Sequence, residues 1–231
     1  MAQLHLARRT FIAAAVLGAA SLVTTAGTAT TRFEVLHASP DAPPVDLYVG
    51  SIPLQSGLAY TQFSRRYVIA PGTYQIRVFQ QGADPNGTPL LTIPVGLEPN
   101  QRYLIVIANR VQTLEGVVYQ EPPAPSAAQA TVRLINLDPG SPALDVFDVG
   151  ANAVIIPDVA FKVAKQTTVP QANLTLQLRQ AGTANVLVSI APTNFPGGRI
   201  STLIRFAPSA AARARSVGEP QPQELVLKRS R

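Results

Sequence analysis

Cysteine is absent from this 231-residue sequence, and its one methionine is the initiator. A chain without thiols forms no disulfide, runs no thiolate chemistry and carries no cysteine-linked lipid, so its stability must come from its core. Histidine is nearly as scarce, with only His5 and His37. A histidine-rich zinc site cannot be built from that supply, and no second imidazole could serve as a base. Strong charge of one sign is missing where it would matter. The net charge is +6, but Arg8 and Arg9 lie at the start, while Arg213, Arg215, Lys228, Arg229 and Arg231 lie in the tail against Glu219 and Glu224. Removing these from 19 basic and 13 acidic residues leaves 12 against 11 for residues 30 to 207. A body this close to neutral, without a basic groove interleaved with aromatics, argues against nucleic acid as a partner. Long apolar runs are also missing after residue 23.

The first thirty residues, "MAQLHLARRTFIAAAVLGAASLVTTAGTAT", combine a basic start, an apolar run from Phe11 to Val23, and small residues Gly27 and Ala29 at the −3 and −1 positions of a cleavage site. That pattern predicts an export signal over residues 1–29. Arg8-Arg9-Thr10-Phe11-Ile12 resembles the twin-arginine pattern, with ordinary secretion as the competing route. Thirteen residues span about 20 Å as a helix, short of a hydrocarbon layer of roughly 30 Å, which favours removal over a retained anchor. The expected location is therefore outside the cytoplasm: periplasmic, cell-surface or extracellular.

The remainder repeats itself. "SPDAPPVDLYVG" at 39–50 lies over "DPGSPALDVFDVG" at 138–150, matching Asp46 with Asp145 and Tyr48 with Phe147. "LAY" at 58–60 meets "VAF" at 159–161, "PGTYQIRVFQQG" at 71–82 meets "PQANLTLQLRQAG" at 170–182, and "PNQRY" at 99–103 meets "PGGRI" at 196–200. Order is kept over some eighty residues at offsets between 97 and 101, which indicates duplication of one unit. Residues 30–120 form the first copy and 131–207 the second, joined by the semi-extended proline-rich linker "EPPAPSAAQA" at 121–130. A basic tail, 208–231, follows, and "ELVLKR" at 224–229 is a candidate last strand of the second copy.

The periodicity within each copy is that of strands. Leu174, Leu176 and Leu178 alternate with Asn173, Thr175, Gln177 and Arg179, giving one dry and one wet face. Tyr74, Ile76 and Val78 follow the same rule, although Phe79 falls on the outward side. "LIVIA" at 104–108 is apolar on both faces, as in a central strand covered from both sides. Further candidates lie at 33–37, 45–49, 62–70, 90–95 and 113–119, separated by turn signals such as Pro71-Gly72 and Gly197-Gly198. About seven strands per copy and no helical stripe predict an all-β protein: two tandem immunoglobulin-like antiparallel β-sandwich domains after an N-terminal signal segment.

"VLHASPDAPPVDLYVG", followed by "LAY" and "PGTYQIRV", resembles the repeat of the domain of unknown function family 4397, over about residues 33–120 and more weakly over 131–207. The resemblance implies exported or surface-associated proteins of bacteria and archaea, tandem copies, and no agreed activity or catalytic residues. The second copy departs from the motif, with Asn136 in place of His37 and Asp138 in place of Ser39.

Three chemistries compete with plain architecture. A hydrolase would use His37 with Asp41 or Asp46, and Ser39 shares a face with His37 in an extended segment, but Ser-Pro opens turns and the matching Asp138 cannot act as a hydroxyl nucleophile. Calcium could recruit Asp41, Asp46, Asp138, Asp145 and Asp148; their spacing fits no EF-hand, and only the Asp46/Asp145 position recurs. That aspartate is expected to accept N–H groups of the preceding proline-rich turn. Tyr48, Tyr60, Tyr67, Tyr74 and Tyr103 could stack on sugars, yet two of them become Phe147 and Phe161, which suits packing. The resulting expectation assigns no catalytic, cofactor-binding or metal-ligating residue and no cofactor. It describes an exported, non-catalytic surface or envelope protein, a binding or structural/adhesion module. Its partner would be an envelope or extracellular carbohydrate, wall polymer or protein, with membrane contact only through the signal or weakly through the basic tail. The hydrolase is the competing reading, and a subunit of a surface assembly a third.

Overall fold

A computed structural model describes residues 29–208 and 224–230. The signal expectation therefore lies outside the described residues except for Ala29, as does the tail from 209 to 223. In the first copy the strands are β1 (Thr31–His37), β2 (Val45–Val49), β3 (Ile52–Leu58), β4 (Tyr67–Ile69), β5 (Gly72–Gln80), β6 (Leu91–Leu97), β7 (Arg102–Ala108) and β8 (Glu115–Gln120). The second copy contains β9 (Gln129–Leu137), β10 (Leu144–Asp148), β11 (Ala153–Val159), β12 (Ala164–Pro170), β13 (Ala172–Gln180), β14 (Val186–Phe195), β15 (Ile200–Phe206) and β16 (Glu224–Ser230). A 3₁₀ turn at Val111–Thr113 is the one helical element among the described residues, and no helix there is long and apolar enough to cross a membrane.

The duplication is reproduced strand for strand. Each copy pairs an outer sheet, β3-β2-β5-β6 or β11-β10-β13-β14, with an inner sheet, β4-β1-β7-β8 or β12-β9-β15-β16. These are tandem β-sandwiches of eight strands each rather than about seven. The additional strand, β3 with its counterpart β11, is an edge strand interrupted by proline and a bulge. β16 supplies the last strand of the second copy, antiparallel to β15. The inner sheets are mixed rather than purely antiparallel, because β1 runs parallel to β7 and β9 parallel to β15. The intervening chain crosses the whole outer sheet before returning, which is the long connection that parallel neighbours need.

The register also corrects one pairing between the copies. Arg32 faces Arg102, while Thr131 faces Ile200, so the last inner strands correspond at an offset of 98 (200 − 102) rather than 97. Asn100 and Gly198, both in the left-handed region at φ 61° and 70°, keep that same offset. Consequently Arg205 occupies the place of Ile107.

Three apolar clusters fill the molecule. One lies inside the first sandwich, around Phe33, Val35, Leu47, Ile76, Val78, Ile105 and Ile107; another lies inside the second, around Val132, Leu134, Val146, Leu176, Leu178 and Leu203. The third draws on both copies: Leu36, Leu104, Val106, Ala108 and Tyr119 pack with Ile135, Leu137, Ile204 and Phe206. The two inner sheets therefore face each other, giving four layers. This explains the double-sided apolar run at 104–108, where Ile105 and Ile107 enter the first core while Leu104, Val106 and Ala108 enter the seam. Polar bonds cross the seam too. Tyr119 donates to the Lys162 carbonyl at 2.8 Å, Tyr60 to that of Ala207, and the Lys162 ammonium meets Glu115 at 2.9 Å. Lys228 and Arg66 share Glu34, and the Lys228 ammonium sits 4.3 Å from the Phe63 ring. One cation of the basic tail, Lys228, is thus engaged within the protein.

Val106→Asp places an unpaired carboxylate in that dry seam, at an expected cost of about 3 kcal/mol or more. Calorimetry should show one cooperative transition for the wild-type chain and two separated transitions, for independent sandwiches, in the variant.

Candidate functional site

The signature histidine closes β1 and is fully buried. Its Nδ1 accepts the Ser39 backbone N–H at 3.3 Å, and its Nε2 lies 3.0 Å from the Pro43 carbonyl, to which it donates. A carbonyl can only accept and a backbone N–H can only donate, so these partners fix a neutral tautomer with the proton on Nε2. Burial pulls the His37 pKa below its ordinary value, against the opposing effect of the hydrogen bond to Pro43. The Ser39 hydroxyl donates to Asp41 at 3.3 Å and not to the imidazole, and the same Asp41 oxygen accepts the Val111 N–H at 2.8 Å. The sequence brings His37, Ser39 and Asp41 into one turn, but not into a relay from acid to base to hydroxyl.

The second copy performs the same task with different chemistry. Asn136 Oδ1 accepts the Asp138 N–H at 3.2 Å, and its Nδ2 donates to the carbonyls of Pro142 at 3.4 Å and Val159 at 3.2 Å. An amide thus reproduces both bonds of the imidazole. The carbonyls of His37 and Asn136 accept the N–H of Thr61 and Lys162 respectively, at 2.8 and 2.7 Å, and both donors are left-handed, at φ 65° and 64°. Asp138, at the serine position, pairs with the buried Arg205 at 3.2 Å. The pair replaces Ser39 and Ile107 together, since a buried carboxylate without a partner would be costly. Arg205 was missed in the sequence, although a charged residue on the inward face of "STLIRF" is the signal of such a partner.

Asp46 and Asp145 are equivalent in position and share two backbone donors, but the donors differ from the expected ones. Asp46 accepts the Ser56 hydroxyl at 2.7 Å, the Gly57 N–H at 2.8 Å and the Gly82 N–H at 2.9 Å. Asp145 accepts the N–H groups of Asp158 at 2.7 Å and Gly182 at 2.9 Å. These lie in the β3 or β11 bulge and the turn after β5 or β13, not in the preceding proline-rich turn, whose carbonyl is served by His37 or Asn136. The bulge donors Gly57 and Asp158 are left-handed, at φ 65° and 51°, so the carboxylate secures a backbone state that ordinary residues resist. Burial alone would raise the Asp46 pKa, but the donors from Gly82, Ser56 and Gly57 hold it below its ordinary value. Asp148 binds the turn N–H groups of Gly150 and Ala151 at 2.9 and 3.4 Å. Among the described residues no three acidic or histidine side chains gather as a metal-ligand set.

The tyrosines form no common platform. Tyr103 lies in the first core with Tyr67 and Tyr74 against it, and Tyr60 lies against the seam. Tyr48 is on the outer face, edge-on to Phe79 at 5.5 Å. That contact, with the Arg77 guanidinium 4.7 Å from the Phe79 ring, covers the phenylalanine that broke the alternation. In the second copy Arg179 takes the Phe79 place and stacks on Phe147 at 3.2 Å.

A concavity among the described residues lies at the other end of the seam from His37. It is an open cleft of about 760 Å³, bounded by the start of β7, the end of β8, the linker, β12, the start of β15 and the end of β16. Nothing in the signature motif pointed to it.

A family profile described as a domain of unknown function matches residues 31–147, more than half of the chain. The protein belongs to the DUF4397 family. The match takes in the whole first sandwich and the first two strands of the second, which agrees with the signature residing in full only in the first copy. No curated protein matches the chain. Among solved structures, the Bacillus anthracis TIE protein is similar at 10% identity and a TM-score of 0.23, over 76% of this chain and 33% of that one. The chain thus spans about a third of that protein's length.

Two outcomes are expected for the DUF4397 signature. His37→Asn, which installs the residue of the second copy, should fold and melt within about 1 kcal/mol of wild type, whereas His37→Ala should lose about 1–3 kcal/mol by leaving the Pro43 carbonyl unpaired. Because the folded pKa lies below the unfolded value, wild-type stability should fall as pH drops below about 6.5 towards the folded pKa, a slope that His37→Asn should lack in denaturant titrations. Asp46→Asn should cost about 1–3 kcal/mol at pH 7 with or without calcium. The Asp46 pKa is depressed, so its contribution is present above about pH 4 and lost as pH falls through the folded value. The gap between wild type and variant should close there.

Proposed function

We propose that this protein is an exported, non-catalytic component of the cell surface or envelope that acts by non-covalent contact, as a binding or structural/adhesion module. The observation that carries this reading is the matched bonding of His37 and Asn136 to the same main-chain groups. A position that an imidazole and an amide fill equally well serves shape, since an amide cannot act as a proton-transferring base. The hydrolase alternative, His37 with Asp41 or Asp46, would need the imidazole turned towards a hydroxyl or a water, and both ring nitrogens are held by backbone. The signal-like first 29 residues support export, and the duplicated body with its loops and seam supports contact with a large or extended partner.

Fractionation of cells producing the full chain should place it outside the cytoplasm, and wild type and His37→Asn should retain envelope components equally. Cytoplasmic retention of the protein would overturn the reading, as would a hydrolytic turnover by wild type that His37→Asn abolishes.

A further inference from the structure

We propose that the seam cleft is a saccharide-binding site, specific for neutral, polyhydroxylated chains; the proposal rests on the non-catalytic binding role above. Its volume of about 760 Å³ falls within the roughly 300–1,000 Å³ of small-ligand sites, and a junction between domains is a favoured place for them. Four amide side chains converge on it, from Asn100, Gln101, Gln120 and Gln166. None of the four amide groups hydrogen-bonds to another part of the protein among the described residues. Each offers two donors and an acceptor, which is the complement of adjacent hydroxyls that both give and receive. Pro122, Pro123 and Ile200 supply an apolar wall against which the C–H face of a sugar ring can lie.

Charge selects the class further. Among the described residues the cleft is lined by one cation and one carboxylate, Arg102 and Glu121, a balance that gives a polyanion no net attraction from them. A second arginine, Arg133, is buried in the seam and pairs across β9 and β12 with the cleft residue Gln166. Its guanidinium lies 5.7 Å from the Tyr119 ring, and burial pulls its pKa below the ordinary value against the opposing charge of Glu121. The Glu121 backbone N–H donates to the Arg102 carbonyl at 2.8 Å, which ties the linker to the start of β7 at the cleft.

The test uses the full chain with cellotetraose, maltotetraose and chitotetraose as probes, followed by saturation-transfer NMR and calorimetric titration. At least one probe should bind, and Gln120→Ala/Gln166→Ala should weaken it tenfold or more at an unchanged melting temperature, both side chains being exposed. His37→Asn should bind as wild type does. Absence of binding by all three probes, or binding that survives the double substitution, would overturn the cleft. Envelope retention that persists alongside either result leaves the proposed function standing without this site, whereas cleavage of a probe by the purified protein would remove both.

Discussion

Burial of the inner sheets on both faces is the constraint from which the rest of this structure follows. A strand alternates its side chains, so a strand that is apolar throughout must be covered by two layers. From Tyr103 on, β7 has that character, β15 is buried along its whole length, and one sandwich can cover only one of their faces. The duplicated copy provides the missing layer, since the seam side of β1 and β7 packs on that of β9 and β15. The tandem arrangement is thus a solution to exposed apolar surface and not two independent beads on a linker. Two seam-crossing hydroxyl bonds and the ion pairs of Glu34 and Glu115 fix the relative orientation of the copies, and the polar cleft arises where the facing sheets part.

The polar signature meets a second constraint, the pairing of buried main-chain groups. A proline-rich turn has few N–H groups, so its buried carbonyls need donors from side chains. His37 and Asn136 supply them, while Asp46 and Asp145 collect the N–H groups of a left-handed bulge and a tight turn. Bond partners stay fixed where side-chain chemistry changes. Where chemistry changes in kind, as from Ser39 to Asp138, a partner changes with it, as from Ile107 to Arg205.

Much of this was legible in the sequence because period-two alternation and ordered repetition are properties of strands and duplications. β2 was bounded correctly at 45–49, and β5, β7 and β13 within two residues. β3 escaped notice because Pro53 and Gly57 give it the composition of a loop, and it is held as an edge strand by its bulge and by Asp46. The one-residue change in offset before β15 was hidden by the likeness of "PNQRY" to "PGGRI", which only pairing with β9 could correct. The role of the recurrent aspartate was placed on the wrong donors, since Gly82 and Gly182 are 36 and 37 residues away in sequence. The cleft was illegible for the same reason: Asn100, Gln120 and Gln166 carry no motif and meet only after both copies have stacked.

The most direct measurement of the stacked arrangement is a set of residual dipolar couplings on the full chain in a weakly aligning medium. The account predicts one alignment tensor that fits the amides of β1, β7, β9 and β15 together, in both copies. Two tensors of different magnitude or orientation, one for each sandwich, would contradict it.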